Sequence, residues 1–365
     1  MIRNGFPMFS RFHPMPRRLL SSAVPCALLL SALLLTAAPA GAETAGAQAM
    51  ARGDYARAIK DLTPAAKAGD PQAQLDLAEL LLNGRGTNRD QAEGVKWLRQ
   101  AADKGLAEAQ YQLGQLLEEG ESVTQNKAEA AEWYRKAVQS GNLPASSALA
   151  EMYLSGDGVG KDEGQAARLF QRPADQNDIE SQLALGKLYQ QGLGVPKSYN
   201  DASVWFRKAA QLGSPEGRYL LAMLLLDSDP SGRNPHAPSQ RSVEALKWLD
   251  GAAQQNYAPA LYMLGMGSID GILAPMDING GMALLQQAAD QSYAPALRAL
   301  GKIYADGKVA PQDAVRAYMY LDLAARAGDK DAAFEREDVS RQLPQGQLPL
   351  ARKRVQDWLD IHGDQ

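Results

Sequence analysis

The chain has 365 residues, with 38 Lys+Arg against 42 Asp+Glu, a single Cys and three His. That balance argues against a nucleic-acid binder working through a basic footprint, and one Cys excludes a disulfide-stapled scaffold or a multi-Cys zinc site. Alanine fills about a sixth of the positions, which leans the composition toward all-α.

Residues 1–42 carry Arg3, Arg11, Arg17 and Arg18, no acid, and an apolar run over 19–38 that ends in Ala40-Gly41-Ala42. This reads as a signal peptide cut after Ala42, with Met8 and Met15 as alternative starts. It predicts a periplasmic or secreted protein with no integral membrane span after cleavage. The remaining chain then carries −8 rather than −4 and has no cysteine. The competing reading is an uncleaved anchor, since about twenty apolar residues span a bilayer, but Pro25 and Ser31 interrupt the run. Cys26 follows Val24-Pro25 and so lacks the small residue a lipid-acceptor site needs, and Arg17-Arg18 matches a twin-arginine signal poorly.

From residue 71 the chain repeats itself every 36 residues: 71–106, 107–142, 143–178, 179–214, 215–257, 258–293 and 294–329, the fifth being seven residues longer. Position 7 is Leu77, Leu113, Leu149, Leu185, Leu221, Leu264 and Leu300. Position 8 is always Ala or Gly, and a large residue follows near position 27: Trp97, Trp133, Leu169, Trp205, Trp248, Leu284, Tyr320. Each repeat is predicted as a helical hairpin turning at Gly84-Arg85-Gly86 or its counterpart Gly192-Leu193-Gly194. One hairpin cannot bury its own apolar face, so neighbours stack and share a core. The small position 8 lets two helices approach, the large residue fills the space between repeats, and Gly105, Gly141, Gly213 and Gly328 suit left-handed C-caps.

Residues 43–70 fit a divergent first hairpin, with Tyr55-Ala56-Arg57-Ala58-Ile59 in its second helix. Residues 330–365 are predicted as capping helices, one broken at Leu343-Pro344 and a second ending near Trp358.

The blocks Ala109-Gln110-Tyr111-Gln112-Leu113-Gly114 and Ala131-Glu132-Trp133-Tyr134-Arg135-Lys136-Ala137 resemble the Sel-1-like repeat, a relative of the tetratricopeptide repeat. So do Gly192-Leu193-Gly194-Val195-Pro196-Lys197 and Trp205-Phe206-Arg207-Lys208-Ala209-Ala210. The resemblance implies an all-α, right-handed α-solenoid of about eight helix-turn-helix repeats with a C-terminal helical cap. It further implies an adaptor that holds a protein or peptide partner in the cell envelope and is not an enzyme.

Three departures from the pattern carry expectations. Pro173 stands inside a second helix, where proline costs about 3 kcal/mol, and predicts a kink or soft joint. The segment 229–238 contains three prolines and reads as an exposed loop, either a contact or a tolerated insertion. Met266-Gly267-Ser268 replaces the Leu or aromatic of other repeats and predicts looser packing there.

Chemistry is sparse. Gly156-Asp157-Gly158-Val159-Gly160-Lys161 lacks the Ser/Thr and leading Gly of a phosphate loop, and the same segment does not space its acids as a calcium loop. Glu118-Glu119 read as a solvated helix end, and His236 and His362 as surface residues. No catalytic residue, cofactor or metal is predicted. What remains is surface: by analogy with the tetratricopeptide arrangement, positions 2, 5, 9, 12 and 13 line a concave face. Position 9 runs Glu79, Gln115, Glu151, Lys187, Met223, Met266, Lys302, from acidic through apolar to basic. Tyr219, Met223, Leu226, Tyr262, Met266 and Ile269 form an apolar stripe there, predicted as partner anchors. The alternative is that these side chains pack internally. The rival function is an envelope protein acting on cell-wall or exopolysaccharide material, as an enzyme using Glu79, Glu118 and Glu151 or as an export scaffold.

Overall fold

A computed structural model of the chain describes residues 45–228, 239–273 and 275–363. The signal-peptide reading of 1–42 and the loop 229–238 lie outside the described residues.

Among the described residues there are eighteen α-helices and no strand. The first pair is α1 (Ala45–Ala51) and α2 (Tyr55–Ala68). Repeats one to three follow as α3 (Pro71–Asn83) and α4 (Gln91–Asp103), α5 (Ala107–Glu119) and α6 (Lys127–Gln139), and α7 (Leu143–Ser155) and α8 (Glu163–Asp175). Next come α9 (Ile179–Gln191) and α10 (Tyr199–Gln211), α11 (Pro215–Asp227) and α12 (Gln240–Ala253), and α13 (Ala258–Asp270) and α14 (Ile278–Ala289). The array ends with α15 (Ala294–Asp306) and α16 (Ala314–Arg326), then α17 (Lys330–Gln342) and α18 (Gln347–His362). Each helix packs on the next through α17, and α18 turns back onto α16.

The caps make the hairpins repeat. Second helices begin on Asp90, Asn126, Asp162, Ser198, Ser239, Asp277 and Asp313, whose side chains accept backbone N–H groups of the first turn. First helices end mostly on left-handed glycines such as Gly84 and Gly192. Gly194 shows why the turn needs a second glycine: any Cβ there would collide with the backbone of Glu163 and Gly164 in the preceding repeat.

Position 28, one residue beyond the tryptophan column, turns out to be the core filler. Leu98, Tyr134, Phe170, Phe206, Leu249, Leu285 and Leu321 are all at most 2% exposed. Position 8 is small because these side chains lie across it: a methyl on Gly114 would sit 2.5 Å from the Tyr134 ring, and one on Gly186 closer still to Phe206. The tryptophans lie at the seams, with Trp97 and Trp248 only half-buried. Trp133 and Trp248 donate to Glu129 and Glu244, which also take Arg99 (2.9 Å) and Arg207 of the preceding repeats. Burial favours a raised pKa for Glu129, but Arg99, Trp133 and Asn126 outweigh it and hold the carboxyl below its ordinary range.

A second seam device sits at position 4. The side-chain amides of Gln74, Gln110 and Gln182 donate to the carbonyls of Ala66, Ala102 and Ala174, in the last turn of the preceding helix. Those carbonyls are the ones a helix end leaves without intrahelical partners. In repeat three the residue is Ser146, and its Oγ turns instead to the second helix of its own hairpin, donating 2.7 Å to the carbonyl of Leu169. Leu169 is four residues before Pro173, so this carbonyl is the one the missing proline N–H orphans. The helix α8 runs through Pro173 to Asp175, at the same length as its neighbours. The helix is thus unbroken at Pro173, with the Ser146 bond in place of the one proline cannot make.

The looser packing expected at Met266-Gly267-Ser268 is also corrected. The helix α13 spans thirteen residues, and the Leu273 side chain folds back over buried Gly267, where a methyl would meet it at 2.7 Å.

Candidate partner-binding face

The helix register brings Tyr219 of α11 and Tyr262 of α13 to position 5 of consecutive repeats. Each meets a second tyrosine at the start of the next first helix. Tyr219 and Tyr257 have ring centroids 5.7 Å apart, and Tyr262 and Tyr293 are 5.8 Å apart. One repeat further, the same two positions hold Arg298 and Asp329, 3.8 Å apart. Three consecutive steps of one geometry thus run aromatic, aromatic, ionic.

Tyr257 and Tyr293 occupy N-cap positions, where Asp70, Asn142, Asp178 and Ser214 cap earlier first helices. The tyrosines give no side-chain cap. Replacing a capping side chain costs about 1 kcal/mol, so the rings stand against local helix stability. None of the four hydroxyls forms a hydrogen bond with another described residue, and none is sealed from solvent. Burial first pushes Tyr219 and Tyr257 far above the ordinary phenol range and Tyr293 up to about 12; neighbouring phenols come second for Tyr219 and Tyr293, and the Glu216 carboxylate comes second for Tyr257. Burial also raises Tyr262, against Arg298. All four stay neutral, ready to donate or accept a hydrogen bond.

Of the six predicted anchors, Leu226 (4% exposed) and Ile269 (6%) lie in the core, so the structure withdraws them from the surface: at position 12 they point between the helices of their own hairpins. Tyr219 is nine-tenths buried, while Met223, Tyr262 and Met266 are half-buried. Tyr257 and Tyr293 were missed by the position analogy, because they precede the helix. Their signal is the pentapeptide Tyr-Ala-Pro-Ala-Leu, present at both 257–261 and 293–297.

The expected basic end of the face is neutralised. Glu335 takes Arg298 at 2.7 and 3.0 Å, Asp331 takes it at 3.0 Å, and Lys302 lies 3.7 Å from Glu335. The Glu335 hydrogen bonds hold Arg298 charged well above its usual pKa. Lys187 pairs with Glu216 at 2.7 Å.

Other candidates resolve as structure. Glu118 accepts the Tyr134 hydroxyl at 2.8 Å, and Asp157 of the glycine-rich turn takes Lys127 of the preceding repeat at 2.8 Å. His362 stacks on Trp358 with centroids 4.3 Å apart. No helix among the described residues is long and apolar enough to cross a membrane, and no described group of three or more His, Cys, Asp or Glu could hold a metal ion.

Stacked αα-hairpins with capped turns, shared seams and an open side-chain face define a helical-repeat solenoid of the class that generally mediates protein–protein interaction. The family is specific: a Sel1 repeat profile matches residues 71–106, 107–142, 144–178, 179–214, 251–293 and 294–329, and the chain belongs to the Sel1 repeat family. The solved structure of a Sel1 repeat protein from Oxalobacter formigenes is similar, at TM-score 0.63 and 28% identity, over 79% of this chain and 81% of that one. A protective antigen of uropathogenic Escherichia coli, described as displaying an SLR fold, matches at TM-score 0.47 and 24% identity over 84% and 80%. The Pseudomonas aeruginosa immunity protein Pa5087 matches at TM-score 0.39 and 23% identity over 62% and 82%. No curated protein matches the chain.

Proposed function

We propose that this chain is an exported adaptor that holds a segment of another cell-envelope protein across the first helices of repeats five to seven. The observation that carries the reading is the tyrosine pairing: four neutral phenols whose hydroxyls form no hydrogen bond with another described residue, two of them standing at N-cap positions without a side-chain cap. Tyrosine offers a large, stiff contact area with a polar tip, and Met223 and Met266 beside it adapt to irregular shapes, the mix favoured at binding surfaces. Export rests on the arginines, apolar run and Ala40-Gly41-Ala42 of the first 42 residues.

The test is capture from the protein's own cells with wild type and the Tyr262→Ala/Tyr293→Ala double variant. The expected result is a specific partner retained by wild type and lost by the variant, with the far-ultraviolet helical signal unchanged. Equal capture by both would refute the site. Intact mass of this chain recovered from the same cells tests export, with a mature N-terminus at Glu43 expected.

A further inference from the structure

The tyrosine face sits in an anionic surround. Asp227, Asp270 and Asp306 close α11, α13 and α15 and are exposed, at a position held by Asn83, Glu119, Ser155 and Gln191 in earlier repeats. A carboxylate at a helix C-terminus is opposed by the macrodipole. The row therefore works against its own helices, and Asp270 and Asp306 form no ion pair among the described residues. At the far edge Asp329, Asp331 and Glu335 take Arg298 and Lys302, and Lys187 is matched by Glu216, so neither edge leaves a free cation from these three bases. No Lys or Arg of the described chain lies over any of the four site rings. Elsewhere the protein does use such contacts: Lys136 lies 3.6 Å from the centroid of Trp133, and Lys208 3.8 Å from that of Trp205. Nine-tenths-buried Tyr219, moreover, keeps a hydroxyl that forms no hydrogen bond with another described residue.

We infer that the occupant of this face is a basic segment, an extended peptide bearing Lys or Arg. Its cations seat against the tyrosine rings and the aspartate row, and its backbone meets the phenol hydroxyls. This rests on the adaptor reading and adds the partner's chemistry. A cation held by an aromatic face gains about 0.5–1 kcal/mol when exposed and about 2 when desolvated, and a carboxylate row strengthens and steers the approach. An acidic segment would meet repulsion on both edges.

The experiment uses the protein purified as its own cells process it, and selects phage-displayed random nonapeptides on it. The expected outcome is enrichment of Lys and Arg, binding that weakens as salt rises, and at least tenfold weaker binding to the Asp270→Asn/Asp306→Asn variant, whose Tm is not lowered. Apolar or acidic peptides whose capture depends on Tyr262 and Tyr293 would overturn the basic-segment inference and leave the adaptor standing. Basic peptides indifferent to the aspartate substitutions would overturn it too. Peptides that bind the Tyr262→Ala/Tyr293→Ala variant as well as wild type would overturn both readings.

Discussion

Ser146 and Pro173 form a unit that neither residue announces alone. A buried carbonyl left without a donor costs about 1–3 kcal/mol, and the Ser146 hydroxyl removes that cost at Leu169. Ser146→Ala should therefore destabilise the protein by about 1–2 kcal/mol in urea titration. In a Pro173→Ala background, where the helix supplies its own N–H, the same change should cost far less. Additive effects would contradict the pairing. A second residue-scale prediction concerns the left-handed position after each second helix. Gly105, Gly141, Gly213 and Gly328 fill it in four repeats, whereas Asn177, Asn256 and Ser292 adopt positive φ there without being glycine. Ser292, at φ 59°, lacks asparagine's tolerance for this region, so Ser292→Gly should raise stability by about 1 kcal/mol, seen as a higher Tm. The glycines were legible in the sequence because their spacing is periodic. The Ser146–Leu169 bond was not, since it joins two helices through a register that only packing fixes.

At the scale of elements, α17 buries few apolar side chains. It is in register as an eighth first helix, with Ala332 buried at position 3, but Ala332 and Val339 are its only buried residues and Phe334 is 75% exposed. Polar contacts hold it instead: Arg298 reaches Asp331 and Glu335 from α15, and Arg336 reaches Asp322 of α16 at 2.7 Å. Arg298→Ala should accelerate amide exchange throughout α17 by tenfold or more while leaving α16 protected. Equal protection of α17 in the variant would show that its apolar contacts suffice. The hairpins themselves were readable from the Leu and small-residue columns. The tryptophan column does fill the seams between repeats, with Trp133 and Trp205 buried, while the filler within each hairpin at position 28 is harder to read because it varies among Leu, Tyr and Phe. The tyrosine N-caps escaped for a similar reason: a concave-face rule counts positions inside helices, and Tyr257 and Tyr293 stand one residue before them.

For the whole molecule, stability accumulates between neighbours, because each hairpin buries its faces only against the next. Damage should stay local. Leu98→Ala, which empties a fully buried site at a cost of about 2–5 kcal/mol, should loosen α3 to α6 in hydrogen exchange and leave α15 and α16 near wild-type protection. A loss of protection spread evenly along the chain would mean that the array unfolds as one cooperative block. The same independence lets repeats five to seven specialise, giving up caps and placing acids at helix ends, while their neighbours keep the array folded. The central claim is that the first-helix side of these repeats is where a partner is held. A photo-crosslinking residue placed in turn at Met223, Met266 and Lys302, and on the second helices at Lys96, Val204 and Val243, tests it in the protein's native cells. The account predicts one shared adduct from the first three positions and none from the others; adducts concentrated on the second helices would contradict it.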